Sequence, residues 1–298
     1  AHLRNNHGRV LLSTLGFYGD SGKTENTYYL GLLQEEGRGK MYESEETYNR
    51  YLSSRAVIRS IDRESIKNGS PFFGLVMGFD HRAPLPPFFP LFRNSDTIFS
   101  ALLGTCRPQS YRSYLPWMAE HRPSEPRTFS RAETKAVFPL FSDFLLHLHA
   151  DYRKRYGGEH NRPPLQDRST VYDGGFGTFL RRVGRLPEKD FREYARHLTN
   201  LHLSRQVFFF NGLLEYYGHE PEYWAEDVRS LVGRAREMMS EPSAPVPAEL
   251  ANVDPPDQAL TRFREIVGRY GRLIEAWPEI WSAAKELREH GVRVTREL

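Results

Sequence analysis

A proline-rich and aromatic-rich segment at residues 71–92, PFFGLVMGFDHRAPLPPFFPLF, restricts the fold of this chain more than any other feature. Its five prolines lack a backbone N–H, so they exclude a regular helix from the second half of the segment. Surface loops are ordinarily polar, whereas this segment is crowded with large apolar side chains. We therefore predict a rigid, non-helical segment that lines the interior.

Most of the remaining chain carries helical patterns. Apolar residues recur at helical spacing from Arg131 to Tyr156, from Asp190 to Tyr217 and from Gln258 to His290, where Pro278 predicts an interruption. A shorter helix is predicted from Ser95 to Leu103. Near the N-terminus, the apolar run from Arg9 to Leu15 favours a strand or a buried extended segment.

These patterns predict an all-α, mainly helical fold in a single domain over residues 1–298. An irregular N-terminal part, residues 1–92, would line a pocket, and residues 93–298 would form the helical body. Hydrophobic residues make up 39% of the chain and aromatic residues 13%, which is enough apolar material for a core of this size.

Composition also limits the function classes. No apolar run approaches the ~20 residues of a membrane span, and the N-terminus has no apolar core of a secretion signal. The lone cysteine, Cys106, excludes an internal disulfide and any cysteine-based zinc or iron–sulfur site. The 41 basic and 38 acidic residues are interspersed, which is typical of a solvated mixed-charge surface. We therefore predict a cytoplasmic protein without a nucleic-acid or membrane partner.

The helix predicted from Asp190 to Tyr217 carries two histidines, His197 and His202. They are five residues apart, so roughly 140° separates them around the helix and they do not easily share one metal ion. His202 lies on a largely apolar face beside Ala195, and a proximal haem ligand is presented in this way. The same pattern suits a buried histidine that is hydrogen-bonded to a neighbour.

Four further polar residues could complete a site. Arg196 and Arg205 flank His202 and could meet the propionates of a haem, or they could be surface charges. His81 and Arg82 stand inside the apolar segment 71–92. In a pocket, His81 could serve as an acid, a base or a hydrogen-bond partner, and Arg82 could hold a carboxylate. Alternatively, both lie at a solvent-exposed corner.

An alternative function comes from residues 16–24, GFYGDSGKT, which resemble a phosphate-binding loop. The signature of that loop has four residues between its two glycines, whereas five separate Gly16 from Gly22. A plain polar turn is therefore the other interpretation. A nucleotide-binding enzyme or sensor stands as the alternative function. A helical binding module that docks a partner on segment 71–92 is a third hypothesis.

Taken together, the chain resembles the haem-dependent L-tyrosine hydroxylases of pyrrolobenzodiazepine and lincosamide antibiotic biosynthesis, which belong to the histidine-ligated, tryptophan dioxygenase-like superfamily. The resemblance rests on chain length, on a helical aromatic body and on a histidine-bearing helix roughly a hundred residues before the C-terminus. His81 corresponds to a substrate-side histidine. The glycine-rich stretch at residues 174–178 is similar to the loop that closes the pocket of tryptophan dioxygenases, although it stands elsewhere in the chain order.

The resemblance implies an oxidoreductase that hydroxylates L-tyrosine, or a related aromatic amino acid, to 3,4-dihydroxyphenylalanine with hydrogen peroxide. His202, or as second choice His197, would ligate the iron of haem b, and an acceptor would hold the other ring nitrogen. The haem would be non-covalent, since neither histidine is followed by cysteine four residues later. His81 would orient the phenol or assist O–O cleavage, and Arg82 would hold the substrate carboxylate. The assembly could include a homo-oligomer.

Overall fold

The structure is a computed structural model that describes residues 8–20, 35–67, 76–82, 84–107, 110–125, 127–128, 139–156, 174–241, 246–253 and 257–292. Its strands are β1 (Arg9–Asp20), β2 (Ala56–Arg59), β3 (Ser65–Lys67), β4 (Met77–Phe79) and β5 (Ser110–His121). Its helices are α1 (Glu35–Met41), α2 (Glu45–Ser53), α3 (Ser95–Cys106), α4 (Phe141–Tyr156), α5 (Gly174–Val183), α6 (Glu188–Tyr216), α7 (Glu222–Ser240) and α8 (Asp257–Glu289), with a 3₁₀ turn at Ala248–Leu250.

The five strands form one mixed sheet that curls into a half-barrel. The prediction of an all-α fold is therefore wrong, because the protein combines this sheet with helices that make up 60% of the described residues. β1 and β5 run parallel, from the pair Arg9↔Ser110 to the pair Gly19↔His121. Both β2 and β4 pair antiparallel with β1, and β3 pairs antiparallel with β5. β1 is thus the central strand of the sheet.

β1 extends further than its sequence predicts. The extended segment expected from Arg9 to Leu15 is confirmed, but the strand continues to Asp20, so the turn expected over residues 16–20 is wrong. β2 and β5 supply the backbone hydrogen bonds that keep this part extended. Opposite it, β5 contains a bulge, because Leu15 pairs with Leu115 and Gly16 with Met118. The two extra residues of the bulge include Pro116, which has no N–H for the ladder.

The helical predictions agree with the structure better. α3 and α6 lie where the periodic patterns predict them, and α4 covers the predicted range from Phe141 to Tyr156, while residues 139–140 are not helical. Residues 131–138 of that prediction lie outside the described residues. α8 passes through Pro278 without a break in the assigned helix, so the expected interruption is wrong. The glycine-rich stretch at residues 174–178, which resembles a pocket-closing loop in sequence, lies within α5.

The proline-rich segment is non-helical from residue 84 to residue 94, as predicted, and part of it enters the core. Phe89 is buried and its ring stacks on the ring of Phe141 at a centroid distance of 5.2 Å. The indole N–H of Trp277 donates to the carbonyl oxygen of Leu85 at 2.6 Å. These contacts hold the segment against α4 and α8. The hollow between this segment and His149 measures only about 20 Å³, which is room for about one water molecule.

Helices α5 and α8 approach each other through glycines. A Cβ atom added at Gly184 would lie 2.7 Å from the Cα atom of Gly268, and one added at Gly271 would lie 2.6 Å from the carbonyl oxygen of Gly177. Side chains at these positions would force the backbones apart. The apolar residues around this crossing belong to the largest core cluster, which also contains the first half of α6. The second half of α6 packs with α2 and α7 in a second cluster.

Candidate functional site

The carboxyl ends of the parallel strands β1 and β5 border an open groove of about 460 Å³. Their ends are side by side, because Gly19 pairs with His121. Ligands of parallel sheets bind outside the carboxyl ends of the strands, so this edge is the expected place for a site. The described residues that line the groove are Gly19, Asp20, Arg50, Ser53, Ser54, Arg55, Ala56, Glu120, His121, Arg122, Pro123, Arg127 and Thr128.

Asp20, the last residue of β1, holds two arginines at the wall of this groove. The Nε–H of Arg55 donates to both carboxylate oxygens at 3.2 and 3.0 Å, and the Nε–H of Arg127 donates to Oδ2 at 3.0 Å. The side chain of Asp20 is 5% exposed and that of Arg55 is 9% exposed. A buried charge requires a partner of opposite sign, so the carboxylate fixes the positions of both guanidinium groups.

Three further side chains, those of His121, Arg122 and Arg50, line the groove beside Asp20 and its two arginines. The ring nitrogen Nδ1 of His121 makes a short hydrogen bond with the carbonyl oxygen of Asp20, so His121 is attached to the end of β1. Arg122 donates from Nε and Nη2 to Oε1 of Glu120, at 2.9 and 2.6 Å. Arg50 lies exposed on α2, and its guanidinium forms no hydrogen bond or ion pair with another described residue.

The groove is electropositive. Its described lining contains four arginines but only two carboxylates, Asp20 and Glu120. Arginine N–H groups in fixed positions recognise phosphate and carboxylate through paired, charge-assisted hydrogen bonds. The hydroxyl groups of Ser53 and Ser54 are engaged with nearby backbone atoms rather than with a base that could activate them. The arrangement is therefore suited to binding an anion.

A second hollow, of about 310 Å³, lies next to the groove along β1 and β2. Its described lining is mainly apolar and consists of Thr14, Leu15, Gly16, Phe17, Ile58, Arg59, Ser60, Ile61, Tyr114 and Leu115. Gly16 belongs to this wall for a steric reason. A Cβ atom at Gly16 would lie 2.2 Å from the carbonyl oxygen of Arg59, so only glycine allows the two strands to approach this closely.

The described part of the stretch that resembles a phosphate-binding loop, residues 16–20, belongs to strand β1. The backbone of residues 16–20 is committed to the sheet, so it does not form the amide cradle that such a loop needs. Gly19 has a φ of 107°, in the region that favours glycine, directly before Asp20. Residues 21–24 of the predicted loop lie outside the described residues. The positive charges that line the groove come instead from α2, from the residue Arg55 after it and from the residues that follow β5.

His202 lies where α4 meets α6, in contact with His147. Its Nδ1 is 3.2 Å from Nε2 of His147, and its Nε2 is 2.9 Å from the side-chain nitrogen Nε2 of Gln206. Burial, followed by the charge of Arg205, lowers the pKa of His202. Burial, followed by the charges of His202 and Arg205, lowers the pKa of His147 to about 4. Both rings are therefore neutral at pH 7, and His202 is hydrogen-bonded on both nitrogens.

The other residues predicted on this helix do not join that pair. His197 is exposed. Burial acts to raise the pKa of the nearby Asp151, but hydrogen bonds from Arg155 and Tyr194 lower it, and His197 contributes least to this lowering. Arg205 is exposed and acts on the two histidines through its charge. Arg196 is half-buried. Among the described residues, no group of three or more His, Cys, Asp and Glu side chains is arranged to hold a metal ion.

His81 and Arg82 lie at an exposed corner. The ring of His81 stacks on the indole of Trp281 at 5.6 Å, and Arg82 donates from Nε and Nη2 to both carboxylate oxygens of Asp80 at 2.9 Å. These hydrogen bonds from Arg82 hold the pKa of Asp80 well below its usual range. Within the described part of the chain, no contact joins His81 or Arg82 to His202. Their roles as the two halves of a haem site therefore stay a prediction.

Sequence reasoning missed Asp20, Arg55 and Arg127. Arg55 and Arg127 are 35 and 107 residues from Asp20 in the chain, so spacing alone does not connect them. The available signal was Asp20 itself, the acidic residue in the stretch GFYGDSGKT that follows the apolar run from Arg9 to Leu15.

Comparison with family models, with curated proteins and with solved structures finds no match for this chain. Within the described residues, no helix has the length and apolar character that crossing a membrane requires. The cytoplasmic location, the homo-oligomeric assembly and the absence of a nucleic-acid partner stay predictions.

Proposed function

We propose that this protein binds a phosphate-bearing small ligand in the groove at the carboxyl ends of β1 and β5. The observation that carries the proposal is the buried carboxylate of Asp20, which holds Arg55 and Arg127 in fixed positions at the wall of an open groove. This retains the nucleotide-binding alternative that the sequence raised, but with arginines in place of a phosphate-binding loop.

Each charged group has a definite task under this proposal. Asp20 engages the Nε–H of Arg127, and the terminal N–H groups of Arg127 form no hydrogen bond with another described residue. Those groups, together with the guanidinium of Arg50, would donate to the phosphate oxygens. Because Asp20 already orients Arg127, binding costs less side-chain entropy than it would with a freely moving arginine. The carboxylate of Glu120 neutralises Arg122 at the rim.

Isothermal titration calorimetry with inorganic pyrophosphate and with ribose 5-phosphate tests the proposal. Arg127→Gln removes one charged donor, so we expect the dissociation constant to rise roughly 10-fold, the value of one hydrogen bond to a charged group. Arg50→Gln should act in the same direction. Arg229→Gln is the matched control, because Arg229 is an exposed arginine paired with Glu222 on α7, away from the groove.

Binding should also weaken between 50 mM and 500 mM salt, because both partners are charged. The proposal is wrong if neither compound binds at millimolar concentration and low salt. It is equally wrong if Arg127→Gln and Arg229→Gln leave the same affinity.

A second candidate is the haem-dependent tyrosine hydroxylase that the resemblance implies, and one contact favours it. The Nδ1–H of His202 faces Nε2 of the neutral His147, which leaves Nε2 of His202 without a proton, the form in which an imidazole nitrogen binds a metal. Nε2 of His202 would then be the iron-binding atom once Gln206 turns away from it. The haem would supply the oxidising chemistry, and His81 and Arg82 have no described contact with this place.

Titration of the purified protein with haemin, followed by its absorbance spectrum, tests the second candidate. A stoichiometric Soret band that His202→Ala removes and His197→Ala leaves unchanged would support it, since His197 is exposed on the same helix. L-Tyrosine and hydrogen peroxide would then be assayed for 3,4-dihydroxyphenylalanine. A Soret band that both variants retain would exclude His202 as the ligand.

A further inference from the structure

The apolar hollow and the basic groove lie in line along the same pair of strands. On β1, the lining of the hollow ends at Phe17, which pairs with Arg59, and the lining of the groove begins at Gly19, which pairs with Val57. Two residues of a strand span about 7 Å. The two compartments are therefore close enough for one small molecule to occupy both.

The hollow has the chemistry of a site for a flat, weakly polar group. Ile58 and Tyr114, which lie on the same face of the sheet, contribute apolar and aromatic surface, while Ser60 adds a hydroxyl group. Its volume of about 310 Å³ is at the lower end of the ~300–1,000 Å³ that small-molecule sites occupy. Apolar walls with a few polar groups are typical of such sites.

Much of this apolar surface is open to solvent. Ile58 is 77% exposed although it lies in the middle of β2. On the same side of the sheet, Tyr18 and Met118 are also exposed. An apolar group of a ligand that covered Ile58 would remove this surface from water, which is favourable in proportion to the area covered.

We infer that the ligand is a mononucleotide, with its base in the hollow and its phosphate in the groove. This inference rests on the proposed function, because the groove must first bind phosphate. It goes further in assigning Ile58 and Tyr114 to recognition of the base. The order along β1 follows from the register, with the base against residues 14–17 and the phosphate beyond Gly19.

The experiment compares three classes of probe by calorimetry on the full chain. They are the four ribonucleoside 5′-monophosphates, the matching nucleosides, and ribose 5-phosphate. At least one monophosphate should bind roughly 5- to 150-fold more tightly than ribose 5-phosphate, the range expected for stacking a base on an aromatic side chain. Its nucleoside should bind more weakly than the monophosphate.

Two variants locate the base. Ile58→Ala changes an exposed residue, so folding should be unaffected, and it should weaken the monophosphate several-fold without changing the affinity for ribose 5-phosphate. Tyr114→Leu should have the same selective effect, with circular dichroism to verify the fold. Ile66→Ala is the matched control, because Ile66 is an exposed isoleucine on β3, outside the lining of either compartment.

The outcomes separate the two claims. If ribose 5-phosphate binds as tightly as every monophosphate and Ile58→Ala has no effect, the base assignment is wrong while the phosphate groove stands. If no phosphate compound binds, the proposed function itself is wrong. If a short single-stranded oligonucleotide binds and the monophosphates do not, the assignment to a small ligand is overturned.

Discussion

Replacing Asp20 by asparagine should destabilise the fold, because it removes the negative charge that compensates a buried arginine. The side chains of Asp20 and Arg55 are only 5% and 9% exposed, and the two groups are joined at 3.0 Å. Removing one partner of a buried ion pair costs about 3–5 kcal/mol, since the other charge stays buried without compensation. Asp20→Asn keeps the size of the side chain, so this loss reflects charge rather than a cavity.

Urea denaturation, monitored by circular dichroism and by tryptophan fluorescence, measures this loss. Glu120→Gln is the matched control in the same groove. Its partner Arg122 is 80% exposed and Glu120 is 37% exposed, so we expect a change of at most about 1 kcal/mol. A loss for Asp20→Asn that is no larger than the loss for Glu120→Gln would refute the argument from burial.

A double-mutant cycle isolates the pair. Once Arg55→Met has removed the buried charge, Asp20→Asn should cost markedly less than it does in the original background. Purely additive losses would mean that the contact between Asp20 and Arg55 contributes nothing, and the account of how the groove is held would then fail.

Three further predictions concern parts of the molecule outside the groove. Gly184→Ala should destabilise the fold by about 1–3 kcal/mol in thermal denaturation, because the new methyl group would overlap the backbone of Gly268. Gly212→Ala is the control: it has open space around it and should stabilise α6 by about 0.5–1 kcal/mol. Burial, followed by the charge of Arg153, lowers the pKa of His149 to about 4. In the unfolded chain His149 becomes protonated below about pH 6.5, whereas in the folded chain it stays neutral at pH 5. The free energy of unfolding should therefore be about 2 kcal/mol lower at pH 5 than above pH 6.5, and urea titrations of His149→Gln should show a smaller decrease. Arg38→Ala should lower the free energy of unfolding by about 2 kcal/mol, because the guanidinium carbon of Arg38 lies 3.5 Å from the ring centre of Tyr217 and 4.2 Å from that of Trp224. Arg236→Ala, on the exposed face of α7, should leave it almost unchanged.

The helices could be predicted from the sequence because their signal is local. α6 repeats apolar residues at helical spacing over 29 residues, so no knowledge of its neighbours is needed to recognise it. The sheet gave no comparable signal. β5 contains Pro116 and a run of exposed residues through the bulge, and it is paired with a strand about a hundred positions earlier in the chain. Pairing between distant segments, rather than propensity, keeps it extended.

The candidate site was even less accessible to sequence reasoning. Arginines that look scattered along the chain converge at one edge of the sheet only after β1 and β5 have paired in parallel. Conversely, His81 and Arg82 look conspicuous in an apolar segment, but they lie at an exposed corner where Asp80 engages the guanidinium. Unusual local composition predicted the core contact of Phe89 correctly, whereas of the two interpretations open for His81 and Arg82 the structure shows the exposed corner.

The cluster at Asp20 is better explained by ligand binding than by stability. Replacing a buried ion pair with apolar residues is often neutral or stabilising, and elsewhere β1 does bury apolar side chains, such as Leu12 and Phe17. The strand changes to a buried carboxylate only at its last residue, where the sheet meets the open groove. Asp20 positions charged donors where a ligand can reach them, whereas His202 is hydrogen-bonded on both nitrogens. Since the two places share no residue, the binding experiment at Arg127 and the spectral experiment at His202 give independent answers.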